Sequence, residues 1–119
     1  MKQSILIYDD DPEILSVSKI ILEQKDYYVR TRERCNNIIE DISLERPDII
    51  LMDIWIPEMG GEQALKFIKN NENTRQIPVI LFSALDNIEE ISVRSNANGY
   101  LKKPFSIEDL IEIVEKNIL

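Results

Sequence analysis

Five side chains stand out by type and place: Asp9, Asp10, Asp53, Ser83 and Lys103. Each falls where a short apolar run stops. Ser4-Ile-Leu-Ile-Tyr8 runs into Asp9 and Asp10, and Asp48-Ile-Ile-Leu-Met52 runs into Asp53. Pro78-Val-Ile-Leu-Phe82 is followed by Ser83, and Gly99-Tyr-Leu-Lys102 by Lys103. Three carboxylates brought together repel one another, and their pKa values rise unless a cation compensates. One lysine cannot neutralise three acids. Carboxylate oxygens suit a hard ion such as Mg²⁺, which keeps several waters and prefers octahedral geometry. A metal plus a phosphoryl group therefore fits this charge pattern better than a metal-free pocket does. Taken singly, each residue has an ordinary reading. The acids can cap a helix or end a turn, a strand-end serine can bond its own backbone, and a lysine can simply be solvated. Their recurrence at one end of successive apolar runs carries the chemical reading.

The elements between these residues determine whether they can meet. The apolar runs are short and bounded by acids, prolines or glycines, and they read as buried strands. Tyr27 to Thr31 reads as a weaker strand. Asp11-Pro12 is an N-cap followed by proline at the first helical position. Ile14, Leu15, Ser18, Ile21 and Leu22 then follow at helical spacing, predicting a helix to about Lys25. A second helix is expected over Asn37 to Glu45, with Ile38, Ile39 and Ile42 on one face. Ile56-Pro-Glu-Met-Gly-Gly61 reads as a loop. Ala64, Leu65 and Ile68 give a third helix its core face. A fourth helix, about Asn87 to Ser95, has poor periodicity. Ser106 and Asp109 form a capping-box pattern for a fifth. Ile107, Leu110, Ile111, Val114 and Ile118 are expected to line its buried stripe.

Five strands alternating with five helices predict an α/β fold: a parallel sheet covered on both faces, doubly wound into a three-layer sandwich. In such sheets ligands bind beyond the carboxyl ends of the strands, near the switch in strand order. That places all five side chains at one edge.

Composition sets the outer bounds. The chain has 119 residues, 44% hydrophobic and 30% charged, with a net charge of −8. One compact domain over residues 1–119 is expected. A chain this acidic is not expected to bind nucleic acid directly. No apolar run approaches the roughly 18 residues of a spanning helix, and no signal peptide is read at Met1-Lys2-Gln3-Ser4. Cys35 is the only cysteine, so neither a disulfide framework nor a cysteine metal site is expected, and a reducing cytoplasm is the expected compartment.

Together these segments resemble the receiver domains of two-component response regulators over essentially the whole chain. The resemblance rests on Ile5-Leu-Ile-Tyr-Asp-Asp-Asp-Pro12, Leu51-Met-Asp-Ile-Trp-Ile-Pro-Glu-Met-Gly-Gly61, Phe82-Ser-Ala84 and Gly99-Tyr-Leu-Lys-Lys-Pro-Phe105. Ser83 follows Asp53 by 30 residues, which also looks like the family's spacing. The resemblance implies the flavodoxin-like strand order 2-1-3-4-5. It implies phosphorelay signalling, with Asp53 as the phosphoacceptor for a histidine kinase or a phosphotransfer protein. Asp10 and Asp53 would hold Mg²⁺ directly, Asp9 mainly through a water, and Trp55 through its backbone carbonyl. Ser83 and Lys103 would contact the phosphoryl group, and the Lys103-Pro104 peptide would be cis. Tyr100 matches the family's aromatic switch. It would turn inward as Ser83 moves, reshaping the face of helix four, strand five and helix five for an effector. Trp55 is bulkier than the family usually carries there. With Leu85 it could shield the acyl phosphate from water and slow its loss.

Two other functions remain in view. Asp9-Asp10-Asp11 superficially offers the D-x-D signature of haloacid-dehalogenase phosphatases, but the later acidic pair and cap of that family are missing. A receiver-like interaction module that works without phosphorylation would have no need of all five residues. The kinase, the pathway, any longer parent protein and the oligomeric state, a homodimer included, are left open by the sequence.

Overall fold

The fold is that of a computed structural model in which residues 2–118 are described. Met1 and Leu119 lie outside them, Met1 being part of the segment in which no signal peptide is read. The strands are β1 (Ser4–Tyr8), β2 (Tyr28–Arg32), β3 (Ile49–Asp53), β4 (Val79–Ser83) and β5 (Gly99–Lys102). The helices between and after them are α1 (Pro12–Glu23), α2 (Ile38–Glu45), α3 (Gly61–Asn70), α4 (Ile88–Arg94) and α5 (Ile107–Asn117). All strand pairs are parallel, in the order β2-β1-β3-β4-β5. This is the flavodoxin-like arrangement expected from the sequence.

Side-chain alternation along the strands assigns the helices to their layers. Leu6, Tyr8, Ile50, Met52 and Leu81 point to one face, where Ile38, Ile42, Leu65, Ile68, Ile88 and Ile91 of α2, α3 and α4 cover them. Ile5, Ile7, Ile49, Leu51, Ile80 and Phe82 point to the other, against Leu15, Leu22, Leu110 and Val114 of α1 and α5. β1, β3 and β4 are buried almost throughout, because both their faces are covered. The edge strand β5 alternates between half-buried and exposed.

Local chemistry fixes the element ends. Asp11 caps α1 by accepting from the Glu13 N–H, with Pro12 at the first helical position. α1 stops at Glu23, short of the expected Lys25. Its last turn has no basic residue, and Asp26 turns the chain through the left-handed region at φ 68°. β3 begins one residue later than expected, and Asp48 serves instead as its gate. The Asp48 N–H donates to the Ser4 carbonyl, and its carboxylate accepts from the Ser4 N–H. Pro78 has no N–H for the ladder, so β4 starts at Val79, while the Pro78 carbonyl accepts from Ile50. Ser106 and Asp109 form the expected capping box.

The expected α5 stripe is only partly in the core: Ile111 and Ile118 are half-buried, and Ile113 rather than Ile111 packs against it. Ile107 is 55% exposed, whereas Leu110 and Val114 are buried. Ile107 is the first helical residue after the Ser106 cap. Among the described residues no helix is long and apolar enough to cross a membrane.

Truncation should separate these positions. Leu110→Ala is expected to cost about 2–4 kcal/mol through lost burial and a residual cavity, and Ile107→Ala less than about 0.5 kcal/mol. Urea unfolding of both variants checks this; equal costs would return Ile107 to the core.

Candidate functional site

The strand order places the switch point between β1 and β3. From β1 the chain first moves outward to β2, then crosses back to β3 on the other side. Tyr8 pairs with Met52, so the next residues, Asp9 and Asp53, emerge side by side at the carboxyl edge. Asp53 in turn pairs with Phe82, which precedes Ser83, and Ser83 pairs with Lys102, which precedes Lys103. Parallel register alone therefore brings the residues together.

Carboxylate oxygens of Asp9, Asp10 and Asp53 lie within 4.8 Å of one another. Asp9 is fully buried and Asp53 is 6% exposed, while Asp10 faces solvent. The Lys103 ammonium donates to Asp9 Oδ2 at 2.8 Å and to Asp53 Oδ1 at 3.4 Å. It also stands 5.0 Å from the centre of the Phe82 ring. Asp9 Oδ1 accepts from the Asp11 N–H at 2.9 Å, so both its oxygens are engaged. Ser83 is buried, and its Oγ accepts from the Leu85 N–H at 3.1 Å. The Lys103-Pro104 peptide is cis, as expected.

Burial and mutual repulsion govern the ionisation of the site. Loss of water pushes Asp53 up to about 6; the charge of Asp9 adds to this, while Lys103 opposes it. Burial also raises Asp9, against its hydrogen bonds from Lys103 and Asp11. Burial pulls Lys103 down, but the Asp9 hydrogen bond and the two carboxylate charges outweigh it and leave the ammonium raised. One ammonium among three acids leaves an excess of two negative charges when all are ionised. A divalent cation would offset that excess, and the donor set is all oxygen, so the residues fit Mg²⁺.

The loop after β3 is held from beneath. The Gly61 N–H donates to the Ile54 carbonyl at 2.8 Å. A Cβ at Gly61 would sit 2.1 Å from the Asp53 carbonyl oxygen. Gly61 thus lets α3 start directly against the backbone that carries Asp53. By sequence alone this glycine marks only a loop. A glycine pair opening a helix a few residues past a candidate acid was the available signal for a close approach. Trp55, 71% exposed, stands outside the acidic cluster, with its side chain beside a cleft. Tyr100 is at the surface, its hydroxyl donating to Glu89 Oε2 at 3.1 Å.

Comparison with known proteins decides the family. The family model described as "Response regulator receiver domain" matches residues 5–115. The chain belongs to the response regulator receiver domains. Among its relatives, the nitrogen assimilation regulatory protein NtrX of Azorhizobium caulinodans is 32% identical, over 98% of this chain and 26% of NtrX. The polar-differentiation response regulator DivK of Brucella anthropi is 32% identical, over 97% of this chain and 95% of DivK. This receiver domain thus spans about a quarter of NtrX and nearly all of DivK. Among solved structures, the receiver domain of a sensor histidine kinase from Pseudomonas aeruginosa superimposes with a TM-score of 0.88. It is 29% identical, over 98% of each chain, and has a magnesium ion coordinated in its active-site cleft. The fold and the family fit two-component phosphorelay signalling and favour neither alternative.

The site makes a signed pH prediction for the receiver domain in a chelator. The unfolded carboxyl titrates near 3.8 and the folded Asp53 near 6. Between those values the folded state holds the extra proton, so stability falls as pH rises through this window and levels off above it. Asp53→Asn removes the effect. In EDTA it should be more stable than wild type at pH 7.5 by about 2 kcal/mol, with the gap closing near pH 4. Denaturant melts at the two pH values check this, and a wild type as stable as the variant at pH 7.5 contradicts it.

Proposed function

We propose that Asp53 accepts a phosphoryl group from the phosphohistidine of a sensor histidine kinase or phosphotransfer protein. In this reading Asp9, Asp10 and Asp53, with the Trp55 carbonyl, hold Mg²⁺. The observation that carries it is the Asp53 carboxylate, buried among two further acids and 3.4 Å from the Lys103 ammonium. Asp53 Oδ is the nucleophile. Its bond to phosphorus forms as the phosphorus–nitrogen bond of the phosphohistidine breaks, and the imidazole leaves with its electron pair. Phosphoryl transfer needs little beyond positioning and charge stabilisation. Bound Mg²⁺ would supply charge neutralisation for the phosphoryl oxygens.

The protein's own groups do the remainder. With a pKa of about 6, Asp53 is mostly ionised at neutral pH and ready to attack. Lys103, now closer to Asp9 than to Asp53, carries a flexible ammonium that can reach a phosphoryl oxygen. Asp9 itself makes a poor nucleophile. It is fully buried, with one oxygen on Lys103 and the other on the Asp11 N–H, which argues against a phosphatase using that residue. A mostly apolar groove of about 490 Å³ opens beside Lys103, lined by Ile14, Val17, Ala84, Pro104 and Phe105. It suits the helical partner that would present the histidine.

The signal would leave by another face. Ser83 Oγ would exchange the Leu85 N–H for a phosphoryl oxygen, and Tyr100 would give up Glu89 and turn inward. The α4, β5 and α5 surface then changes for an effector. Residues 1–119 work in this reading as one receiver module in the cytoplasm.

Incubation with acetyl phosphate and Mg²⁺, followed by intact-mass measurement, tests the reading. Wild type should gain one phosphoryl group, and neither Asp53→Asn nor wild type in EDTA should do so. Modification that maps to Asp9, or that persists in Asp53→Asn, would refute it. Trp55→Asn should then release phosphate severalfold faster than wild type; equal rates remove any shielding role for the indole.

A further inference from the structure

A carboxylate outside the acidic cluster links it to α4. Glu62 follows Gly61, whose close contact with the Asp53 carbonyl leaves no room for a Cβ and whose N–H is bonded to Ile54. Its backbone is therefore fixed relative to Asp53. Its side chain reaches the other way. Arg94 Nη2 donates to both Glu62 oxygens at 3.3 and 3.4 Å, and the Ser95 hydroxyl donates to Oε2 at 3.3 Å. Arg94 is the last residue of α4 and Ser95 its C-cap.

α4 needs such ties. It has only 7 residues, and its N-cap, Asn87, makes no side-chain hydrogen bond. Ile88 and Ile91 anchor it, but Val93 is 76% exposed. Near its N-terminal end two contacts come from β5. Tyr100 donates to Glu89, and the Lys102 ammonium lies 2.6 Å from Asp86. These two can travel with β5. The Glu62 contact at the opposite end cannot, because it is rooted in the backbone beneath Asp53.

We propose that Glu62 is a positioning residue whose contact with Arg94 and Ser95 holds α4 in its unphosphorylated place. The proposal rests on the reading of Asp53 as phosphoacceptor. Movement of Ser83 toward a phosphoryl group would release the Leu85 N–H and free the segment leading into α4. Glu62 resists the displacement of α4 that follows. A contact made in one arrangement opposes any ligand that favours the other, and by linkage it weakens that ligand by the same factor. The pair is partly exposed, with side chains 62% and 40% accessible, so the factor is modest, about two- to fivefold.

The experiment uses the full chain with Mg²⁺ and beryllofluoride, a phosphoryl analogue that adds to a carboxylate. Calorimetry reads its affinity, and amide NMR reads α4. Glu62→Ala should bind beryllofluoride about two- to fivefold more tightly than wild type. Without the analogue, its α4 amide shifts should already move toward those of bound wild type. The exchanged pair Glu62→Arg with Arg94→Glu should return the affinity toward the wild-type value. Mg²⁺ affinity should be unchanged throughout, since Glu62 is not among the clustered acids. Unchanged or weaker beryllofluoride binding in Glu62→Ala, or an exchanged pair that behaves like Glu62→Ala, overturns the proposal. If wild type fails to bind beryllofluoride, the phosphoacceptor reading falls, and this proposal with it.

Discussion

The ammonium of Lys103 between Asp9 and Asp53 is the contact on which the rest of the molecule turns. Two buried carboxylates so close together could not both stay ionised without it. With it they remain under-compensated, and Asp10 adds a third negative charge nearby. The consequence is a site that holds surplus charge and resists protonation only weakly, as the raised Asp53 shows. Such a site gains from any cation that enters. A purely structural ion pair would instead match its charges and satisfy its oxygens within the fold.

Holding that surplus requires a stiff frame, and the sheet supplies it. β1, β3 and β4 are buried on both faces, so the edge from which Asp9, Asp53 and Ser83 emerge cannot relax outward. Gly61 braces the same edge from below by letting α3 begin against the Asp53 carbonyl. A second brace lies beside β1. The buried Tyr8 hydroxyl donates to Asp41 Oδ2 at 2.7 Å, and Arg32 pairs with both Asp41 and Glu45. Burial and the Asp41 hydrogen bond hold that phenol in its protonated form. α4, by contrast, is short, with 7 residues, and lacks a side-chain N-cap hydrogen bond.

Much of this frame was legible in the sequence: short apolar runs alternating with helical segments predict a doubly wound parallel sheet, while the strand order came with the family resemblance. The five polar residues at strand ends could be placed together on that basis alone. What escaped was set by neighbours distant in sequence. Ile107 fits the helical stripe by spacing, yet it is exposed at the first position after the cap, and periodicity carries no information about where a partner surface stops. The tightness at Gly61 depends on how α3 meets Asp53. The Glu62 contact joins residues 32 positions apart on the exposed flanks of two helices, where composition gives no signal. Lys103 was expected to serve the phosphoryl group, and in the unmodified protein it favours Asp9. No strand-end pattern encodes that preference.

The starting positions of Ser83 and Tyr100 determine what a switch would require. Ser83 Oγ is not idle, since it accepts from the Leu85 N–H. Turning it toward a phosphoryl oxygen gives up one neutral hydrogen bond, worth about 0.5–1.5 kcal/mol net, for a charge-assisted bond worth about 1.5–3 kcal/mol. Tyr100 makes a less favourable exchange. Its hydroxyl already donates to a carboxylate, that of Glu89, at a site open to solvent. Losing that bond is offset only by burying the ring, and the ring can be buried only once the space beside β4 has opened. In the proposed switch Ser83 would move before Tyr100, because the ring's burial depends on the space that movement would open, and the Leu85 N–H would need a new acceptor as Ser83 left it. With margins this small, a single partly exposed contact at the far end of α4 is enough to tilt the balance.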